Sequence, residues 1–207
     1  MYLYICNSCS DDDMVKRVLK DYCLRKKLTL TDKQIDSFIV LRDEKGKPYF
    51  PGLDVFFSVS HSGNWWACLM AQDPVGLDIE IPGKSRNFIK IAERFFTEEE
   101  CEYVKRNGTD RFIDMWVRKE AFVKYLGTGI SEGLSSFSVL KNGEFLSCID
   151  KTDQYGCSNK KGFMYAIDFN KSKETSQNSD RNIIDGNITG AYCIGKEKEI
   201  KEIIRLK

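Results

Sequence analysis

Apolar and polar residues alternate with a period of two along several short segments of the chain. The pattern is clearest in VGLDIE, residues 75–80, where Asp78 and Glu80 share one face and three aliphatic residues share the other. Similar alternation, or a short apolar run, predicts strands in YLYIC, VFFSVS, WWACLMA, GFMYAIDF and TGAYCIG. The chain is therefore expected to contain sheets.

Three other segments repeat their apolar residues every three or four positions, which predicts helices. DDDMVKRVLKDYCLRKKL begins with acids, which the helix dipole favours at that end. In TEEECEYVKRNG, Thr97 and Glu100 form the pattern of a capping box, and Gly108 follows the last turn. DRFIDMWVRKEAFVKYLGTG carries a broad apolar stripe that ends at Gly127.

The order of these elements suggests two parts. Strands dominate up to Pro82 and helices follow it, so we predict an N-terminal half at residues 1–81 and a C-terminal half at residues 82–207. Within the second half, the NG turn at 142–143 predicts a hairpin. The Asn- and Ser-rich segment 170–187 is predicted to be a mobile loop.

The composition and charge of the chain argue against several classes of function. The 207 residues carry a net charge of +1, which argues against a dedicated nucleic-acid binder. No apolar stretch reaches the roughly 20 residues of a membrane helix, and the N-terminus lacks the pattern of a signal peptide. We therefore expect a cytoplasmic protein whose eight cysteines are reduced. The lone CNSC motif, Cys6 to Cys9, is interpreted as two small buried side chains rather than a zinc or redox site.

Three acids are candidates for chemistry. Asp78 and Glu80 lie on one strand face, about 6–7 Å apart along the chain. Glu120 interrupts the apolar helix one turn before Lys124, and taken alone that pair predicts an ordinary surface salt bridge. Considered together, the carboxylates repel each other, and a divalent cation removes that cost. Because Mg²⁺ binds carboxylates together with substrate phosphates, we predict a magnesium site that serves phosphate chemistry.

His61, the only histidine, is predicted to lie in a loop after a strand, within SVSHSGNWW. A lone histidine is most often structural. Ser60, His61 and the backbone amides near Gly63 could alternatively hold a phosphate. The pattern G-x-S-x-G is missing, so a serine hydrolase of that kind is not indicated. Lys47 places a positive charge in a turn before Pro48, where it contributes at least to solubility.

These residues belong to a longer series of motifs. GKPYF, FSVSHSGNWWACLMA, VGLDIE, ERFFTEEE and WVRKEAFVKYLGTGI, in this order and spacing, closely resemble the surfactin-synthetase-activating type of 4′-phosphopantetheinyl transferase. The resemblance covers roughly residues 45–138. VGLDIE followed about 40 residues later by W-x-x-K-E-A-x-x-K is a specific signature, unlike a single short motif.

The resemblance implies an enzyme, described as a 4′-phosphopantetheinyl transferase of the holo-[acyl-carrier-protein] synthase type. Such an enzyme moves the phosphopantetheine arm of coenzyme A onto a serine of an apo acyl or peptidyl carrier protein and releases adenosine 3′,5′-bisphosphate. The implied fold is α+β, with two similar halves related by a pseudo-twofold axis and coenzyme A in the cleft between them. A cytoplasmic monomer that is a pseudo-dimer, with no nucleic-acid or membrane partner, is expected.

The resemblance also implies roles for individual residues. It implies that Asp78, Glu80 and Glu120 bind a magnesium ion that also contacts the pyrophosphate. It assigns contacts with coenzyme A to Lys47, Ser60, His61 and Lys124. Glu120 and Lys124 are the expected catalytic residues, since the first could accept the proton of the carrier serine and the second could stabilise or protonate the leaving phosphate. The residues that hold the 3′-phosphate are not identified by the sequence.

Two alternatives stay open. One is another magnesium-dependent phosphate enzyme, such as a nuclease with a D…E-x-K motif, although Lys124 follows Glu120 by four positions and the chain has no excess of positive charge. The other is an inactive homologue that only binds coenzyme A or a carrier protein. The presence of all three acids and of Lys124 favours an active transferase over that second alternative.

Overall fold

The structure, a computed structural model, describes residues 1–7, 12–83, 87–129, 133–152, 159–169 and 188–206. The α-helices in these ranges are α1 (Asp12–Lys26), α2 (Asp32–Ser37), α3 (Phe88–Phe95), α4 (Glu98–Asn107) and α5 (Thr109–Leu126). The strands are β1 (Tyr2–Asn7), β2 (Leu41–Arg42), β3 (Pro48–Tyr49), β4 (Phe56–Ser62), β5 (Trp65–Ala71), β6 (Val75–Glu80), β7 (Leu140–Lys141), β8 (Glu144–Phe145), β9 (Cys148–Thr152), β10 (Asn159–Ala166), β11 (Thr189–Ile194) and β12 (Ile203–Arg205).

The longer strands form two four-stranded sheets, and the mixture of sheets and helices confirms the α+β class. The first sheet has the order β12-β1-β5-β4, and the second has the order β6-β11-β10-β9. Neighbouring strands are antiparallel, except for β12 and β1, which are parallel. The strands β2–β3 and β7–β8 form separate short hairpins. Strands β4 and β6 are therefore both edge strands of their sheets.

Alternate residues of the sheets enter different cores, which arranges the protein in layers. Tyr4 of β1 belongs to the same core as Val18 of α1, whereas its neighbour Leu3 belongs to the core shared with Leu77 of β6. All four side chains are fully buried. The two sheets thus pack face to face, with α1 outside the first sheet. Helices α3, α4 and α5 cover the outer face of the second sheet through a third core.

Several local predictions are confirmed. The capping box of α4 is formed, since the Thr97 side chain accepts a hydrogen bond from the Glu100 amide and the Glu100 side chain accepts one from the Thr97 amide. Gly127 ends α5 in the left-handed region, at φ 71°. The hairpin at Asn142 and Gly143 is also present, with positive φ at both residues.

Other expectations are corrected. His61 and Ser62 lie inside strand β4 rather than in a loop, because β4 extends to Ser62 and pairs with β5 up to Trp65. Helices α2 and α3 and strand β12 were not predicted, since each is short. Cys6 is buried but disulfide-bonded rather than reduced. The predicted loop at 170–187 also lies outside the described residues.

Candidate active site

Helix α5 is pressed closely against strand β6, and Gly76 makes this possible. A Cβ atom at Gly76 would lie 2.0 Å from the carbonyl oxygen of Ala121 and 2.3 Å from the amide nitrogen of Tyr125. No side chain fits in that space, so the close approach depends on glycine. The contact places the turn of α5 that carries Glu120 and Lys124 over the face of β6 that carries Asp78.

Lys124 is bonded to Asp78 across this contact. Its Nζ atom lies 2.7 Å from Asp78 Oδ1 and 3.3 Å from Ser60 Oγ, and the Ser60 hydroxyl also lies 2.8 Å from Asp78 Oδ1. Within the described part of the chain, the ion pair of Lys124 is therefore with Asp78 and not with Glu120. The surface salt bridge that the i, i+4 spacing suggested is thus replaced by a pair between helix and strand.

Glu120 is held in an environment that favours its neutral form. Its side chain is 7% exposed, and its Oε1 atom is buried without a hydrogen-bond partner. Burial raises the pKa of Glu120 to about 7; repulsion from Asp78 and Glu80 adds to this, and Lys124 opposes it. A carboxyl group with a pKa near neutrality can both accept and release a proton at physiological pH.

The two acids on β6 are also perturbed. Burial raises the pKa of Asp78, although the bonds from Lys124 and Ser60 favour its charged form. Burial likewise raises the pKa of Glu80, and a hydrogen bond from Ser62 opposes this shift. The site thus holds three carboxyl groups beside one paired ammonium group, that of Lys124, and burial favours the neutral form of each acid.

This chemistry fits a divalent cation. Asp78 Oδ2, like Glu120 Oε1, is buried and has no hydrogen-bond partner among the described residues, so these two acids each have an oxygen available to a ligand. Hard oxygen donors of this kind are those that Mg²⁺ prefers. In the described ranges, no three His, Cys, Asp or Glu side chains form a preassembled metal cluster. Binding of a metal ion would therefore include a shift of the Lys124 ammonium or of a carboxylate.

A cleft of about 670 Å³ lies next to these acids. Glu120, Lys124 and the exposed His61 are among the residues that line it, and the loop joining β2 to β3 forms another wall. That wall carries basic side chains, Arg42, Lys45 and Lys47. The Lys47 ammonium donates a hydrogen bond of 2.9 Å to the carbonyl of Tyr125, near the C-terminal end of α5. Cations thus stand along one side of a cleft that Glu120 and Lys124 also line.

Comparison with known proteins identifies the family of the chain. A family profile described as the 4′-phosphopantetheinyl transferase superfamily matches residues 74–177, about half of the chain. The chain belongs to the 4′-phosphopantetheinyl transferase superfamily. A 4′-phosphopantetheinyl transferase of Bacillus subtilis is 44% identical over 103 residues, which is 46% of this chain and 44% of the relative. The transferase gsp of Aneurinibacillus migulanus is 33% identical over 135 residues, or 63% of this chain and 56% of the relative.

The chain thus matches about half the length of these curated relatives. Another of them is the transferase Sfp of Bacillus subtilis strain 168, 42% identical over 102 residues, 46% of this chain and 44% of the relative. This likeness corrects the subtype: the chain is similar to Sfp rather than to the holo-[acyl-carrier-protein] synthase type. Among the described residues, no helix is long and apolar enough to cross a membrane.

The first lysine of the transferase motif, Lys119, points away from the cleft. It is fully buried, and its Nζ atom lies 2.7 Å from Glu100 Oε2, 2.8 Å from the carbonyl of Leu134 and 2.7 Å from that of Phe137. Burial lowers the pKa of Lys119, and the carboxylate of Glu100 opposes this shift. Lys119 therefore joins α5 to α4 and to the segment that follows α5, which fixes the helix that carries Glu120.

The sequence missed part of the transferase site. Arg42 and Lys45 line the cleft but gave no signal, because isolated basic residues in a turn are common on surfaces. Ser62, which donates a hydrogen bond to Glu80, was also missed. The alternation of serines in SVSHS could have indicated it. Ser60 was predicted to contact coenzyme A, and the structure places it at 4% exposure against Asp78 and Lys124.

Proposed function

We propose that this protein transfers the 4′-phosphopantetheine arm of coenzyme A to a serine of an apo acyl or peptidyl carrier protein, with Mg²⁺ as cofactor. The second product is adenosine 3′,5′-bisphosphate. The observation that carries the proposal is that Glu120 and Lys124, the latter ion-paired with Asp78, line a cleft with a basic wall in a chain that belongs to this family.

The cleft suits coenzyme A, whose nucleotide end carries several phosphate charges. Arg42, Lys45 and Lys47 offer cations on the wall formed by the β2–β3 loop, and we assign the 3′-phosphate of the nucleotide to this wall. His61 lines the same cleft and is assigned to the nucleotide as well. The pyrophosphate then extends toward Lys124, whose ammonium can neutralise charge on the leaving phosphate.

The transfer forms a bond between the serine oxygen and the β-phosphorus and breaks the bond from that phosphorus to the oxygen bridging it to the α-phosphate. Glu120 accepts the serine proton at its carboxylate, directly or through a water molecule. Lys124 stabilises the leaving bisphosphate. When bound by Asp78, Glu80 and Glu120, Mg²⁺ would supply positive charge to the pyrophosphate.

We also propose that residues 1–81 and 82–207 form two similar α+β halves related by a pseudo-twofold axis. What supports this is that a four-stranded sheet covered by a long helix occurs twice. The halves would exchange strands, since β6 pairs in the second sheet and β12 pairs with β1 in the first. A monomeric, cytoplasmic protein without nucleic-acid or membrane partners stays a prediction.

The test is incubation with coenzyme A, Mg²⁺ and a panel of apo-carriers from fatty-acid, polyketide and non-ribosomal-peptide systems. Intact mass spectrometry should show the gain of one phosphopantetheine arm, and chromatography should show an equal amount of adenosine 3′,5′-bisphosphate. A carrier whose acceptor serine is changed to alanine is the control for the site of attachment. Chelation of Mg²⁺ should stop the reaction. If coenzyme A binds but no carrier gains mass, the inactive homologue is the correct alternative.

A further inference from the structure

Three serines on β4 form a regular series of hydrogen bonds to β6. The side-chain oxygens of Ser58, Ser60 and Ser62 accept hydrogen bonds from the amides of Leu77, Ile79 and Ile81, at 3.0, 3.2 and 2.9 Å. We call these three serines the serine ladder. Because both series advance by two residues, the same bond recurs along the two strands.

The ladder replaces main-chain pairing between two sheet edges. In an antiparallel sheet, alternate amides of an edge strand point away from its neighbour. Those of Leu77, Ile79 and Ile81 point away from β11 and toward β4. Leu77 and Ile79 are fully buried, so unpaired amides there would cost free energy. The serine oxygens satisfy these amides and join the edge of the second sheet to the edge of the first.

Within the described part of the chain, Ser60 and Ser62 each make a further bond to a carboxylate, and Ser58 does not. Ser60 donates to Asp78 Oδ1 at 2.8 Å, and Ser62 donates to Glu80 Oε2 at 2.7 Å. The equivalent position beside Ser58 is Gly76, which has no side chain. The serine ladder therefore contains two serines that bond both a backbone amide and a carboxylate, Ser60 and Ser62. Ser58 bonds a backbone amide in the same way but has no carboxylate beside it.

The bonds fix the direction of each hydroxyl proton. A serine hydroxyl has one proton to donate and two lone pairs with which to accept. Ser60 accepts hydrogen bonds from the Ile79 amide and from Lys124, so its proton is directed to Asp78. Ser62 accepts from Ile81 and likewise donates to Glu80. Each acid thus has one oxygen held in place, while Asp78 Oδ2 stays without a partner.

We propose that Ser60 and Ser62 are positioning residues that hold Asp78 and Glu80 in register for a divalent cation, whereas Ser58 only joins the two sheets. This inference rests on the proposed function, because it takes the acids to be the metal ligands. Residues that orient metal ligands typically change metal affinity by 10–100-fold when they are replaced. A serine that served only the sheet contact would lower stability without that change.

The experiment measures Mn²⁺ binding by electron paramagnetic resonance, with and without coenzyme A, beside the urea midpoint of unfolding. Ser62→Ala should weaken Mn²⁺ binding about tenfold or more. Ser62→Thr retains the hydroxyl and should restore binding close to wild type. Ser58→Ala removes the same kind of backbone bond, so it should lower the unfolding midpoint while the dissociation constant for Mn²⁺ stays unchanged. Ser60→Ala is the second variant if Ser62→Ala does not fold.

The outcomes separate the two proposals. Equal Mn²⁺ affinity in Ser62→Ala and Ser58→Ala would overturn the role of the ladder and leave the metal site standing. Failure of Ser62→Thr to restore binding would also overturn it. If wild type binds Mn²⁺ no better than Asp78→Asn does, the metal site itself is wrong, and the ladder loses its function with it.

Discussion

Lys124 Nζ lies 2.7 Å from Asp78 Oδ1, although the two residues are 46 positions apart in the chain. Asp78 is 5% exposed, whereas about a third of the Lys124 side chain is exposed at the edge of the cleft. The pair therefore links a buried acid to a cation that can reach a bound phosphate. Asp78 lies on β6 and Lys124 on α5, so the formation of this ion pair depends on the close packing of the helix against the strand.

The first prediction concerns this pair. Lys124→Met should lower the free energy of unfolding by about 1–2 kcal/mol at pH 7, because the carboxylate of Asp78 loses its counter-charge while it stays buried. Asp78→Asn should cost less, and the double variant should lose less than the sum of the two. Urea denaturation of the four proteins measures the coupling. The exposed pair Lys20 and Asp32 is the control and should show little coupling.

The second prediction concerns the rate and the base. Glu120→Gln removes the proposed proton acceptor, and loss of a general base typically costs 10²–10⁴-fold in kcat. In wild type with Mg²⁺, kcat should rise with pH as Glu120 loses its proton, and this rise should lie below pH 7 because the bound cation lowers the pKa of that carboxyl. The variant should lack this rise. Single-turnover kinetics between pH 5.5 and 8.5 provide the measurement, with calorimetry to show that coenzyme A still binds. A normal kcat in Glu120→Gln would exclude the proposed base.

In the metal-free protein, the free energy of unfolding should also depend on the protonation of Glu120. Its pKa is raised from the model-peptide value of 4.5 to about 7 on folding, so the folded state binds a proton more tightly than the unfolded state does. Its contribution to stability is therefore complete below pH 4.5 and is lost as the pH rises to about 7, by up to about 3 kcal/mol. Glu120→Gln should flatten this part of the pH profile. An unchanged profile in urea denaturation would contradict the raised pKa.

The third prediction concerns the buried pair of Lys119 and Glu100. Lys119→Met leaves the Glu100 carboxylate without its cation in the core, and we expect a loss of about 3–5 kcal/mol in the free energy of unfolding. Adding Glu100→Gln should recover part of that loss, since the buried charge is then removed. Lys90→Met, at an exposed lysine of α3, is the control for removal of one positive charge. A Lys119→Met protein as stable as this control would exclude a structural role.

The fourth prediction concerns the basic wall of the cleft. Arg42→Ala and Lys47→Ala should raise the KM for coenzyme A several-fold with little change in kcat, because both residues lie away from the reacting phosphate. Added salt should reduce the difference from wild type if the contacts are partly exposed. Lys33→Ala, at an exposed lysine of α2, is the control. With dephospho-coenzyme A as substrate, the difference in KM between wild type and variant should shrink for whichever residue contacts the 3′-phosphate. An equal rise in KM with both substrates would contradict the assignment of the 3′-phosphate to this wall.

Local rules of chain geometry predicted much of the secondary structure. The period of two in VGLDIE placed Asp78 and Glu80 on one face of β6, opposite the fully buried Val75, Leu77 and Ile79. Capping residues and glycines marked the ends of α4 and α5 correctly, since a cap depends on side chains only a few positions away. The series of motifs also identified the family correctly.

The sequence by itself therefore determined the long elements, the shared face of the β6 acids and the family. The tertiary structure decided which groups meet: Lys124 with Asp78, Lys119 with Glu100, and the serines of β4 with the amides and acids of β6. Periodicity describes which residues share a face of one element. Whether a charge on that face is solvated, paired or buried depends on what packs against it, and those partners come from distant parts of the chain.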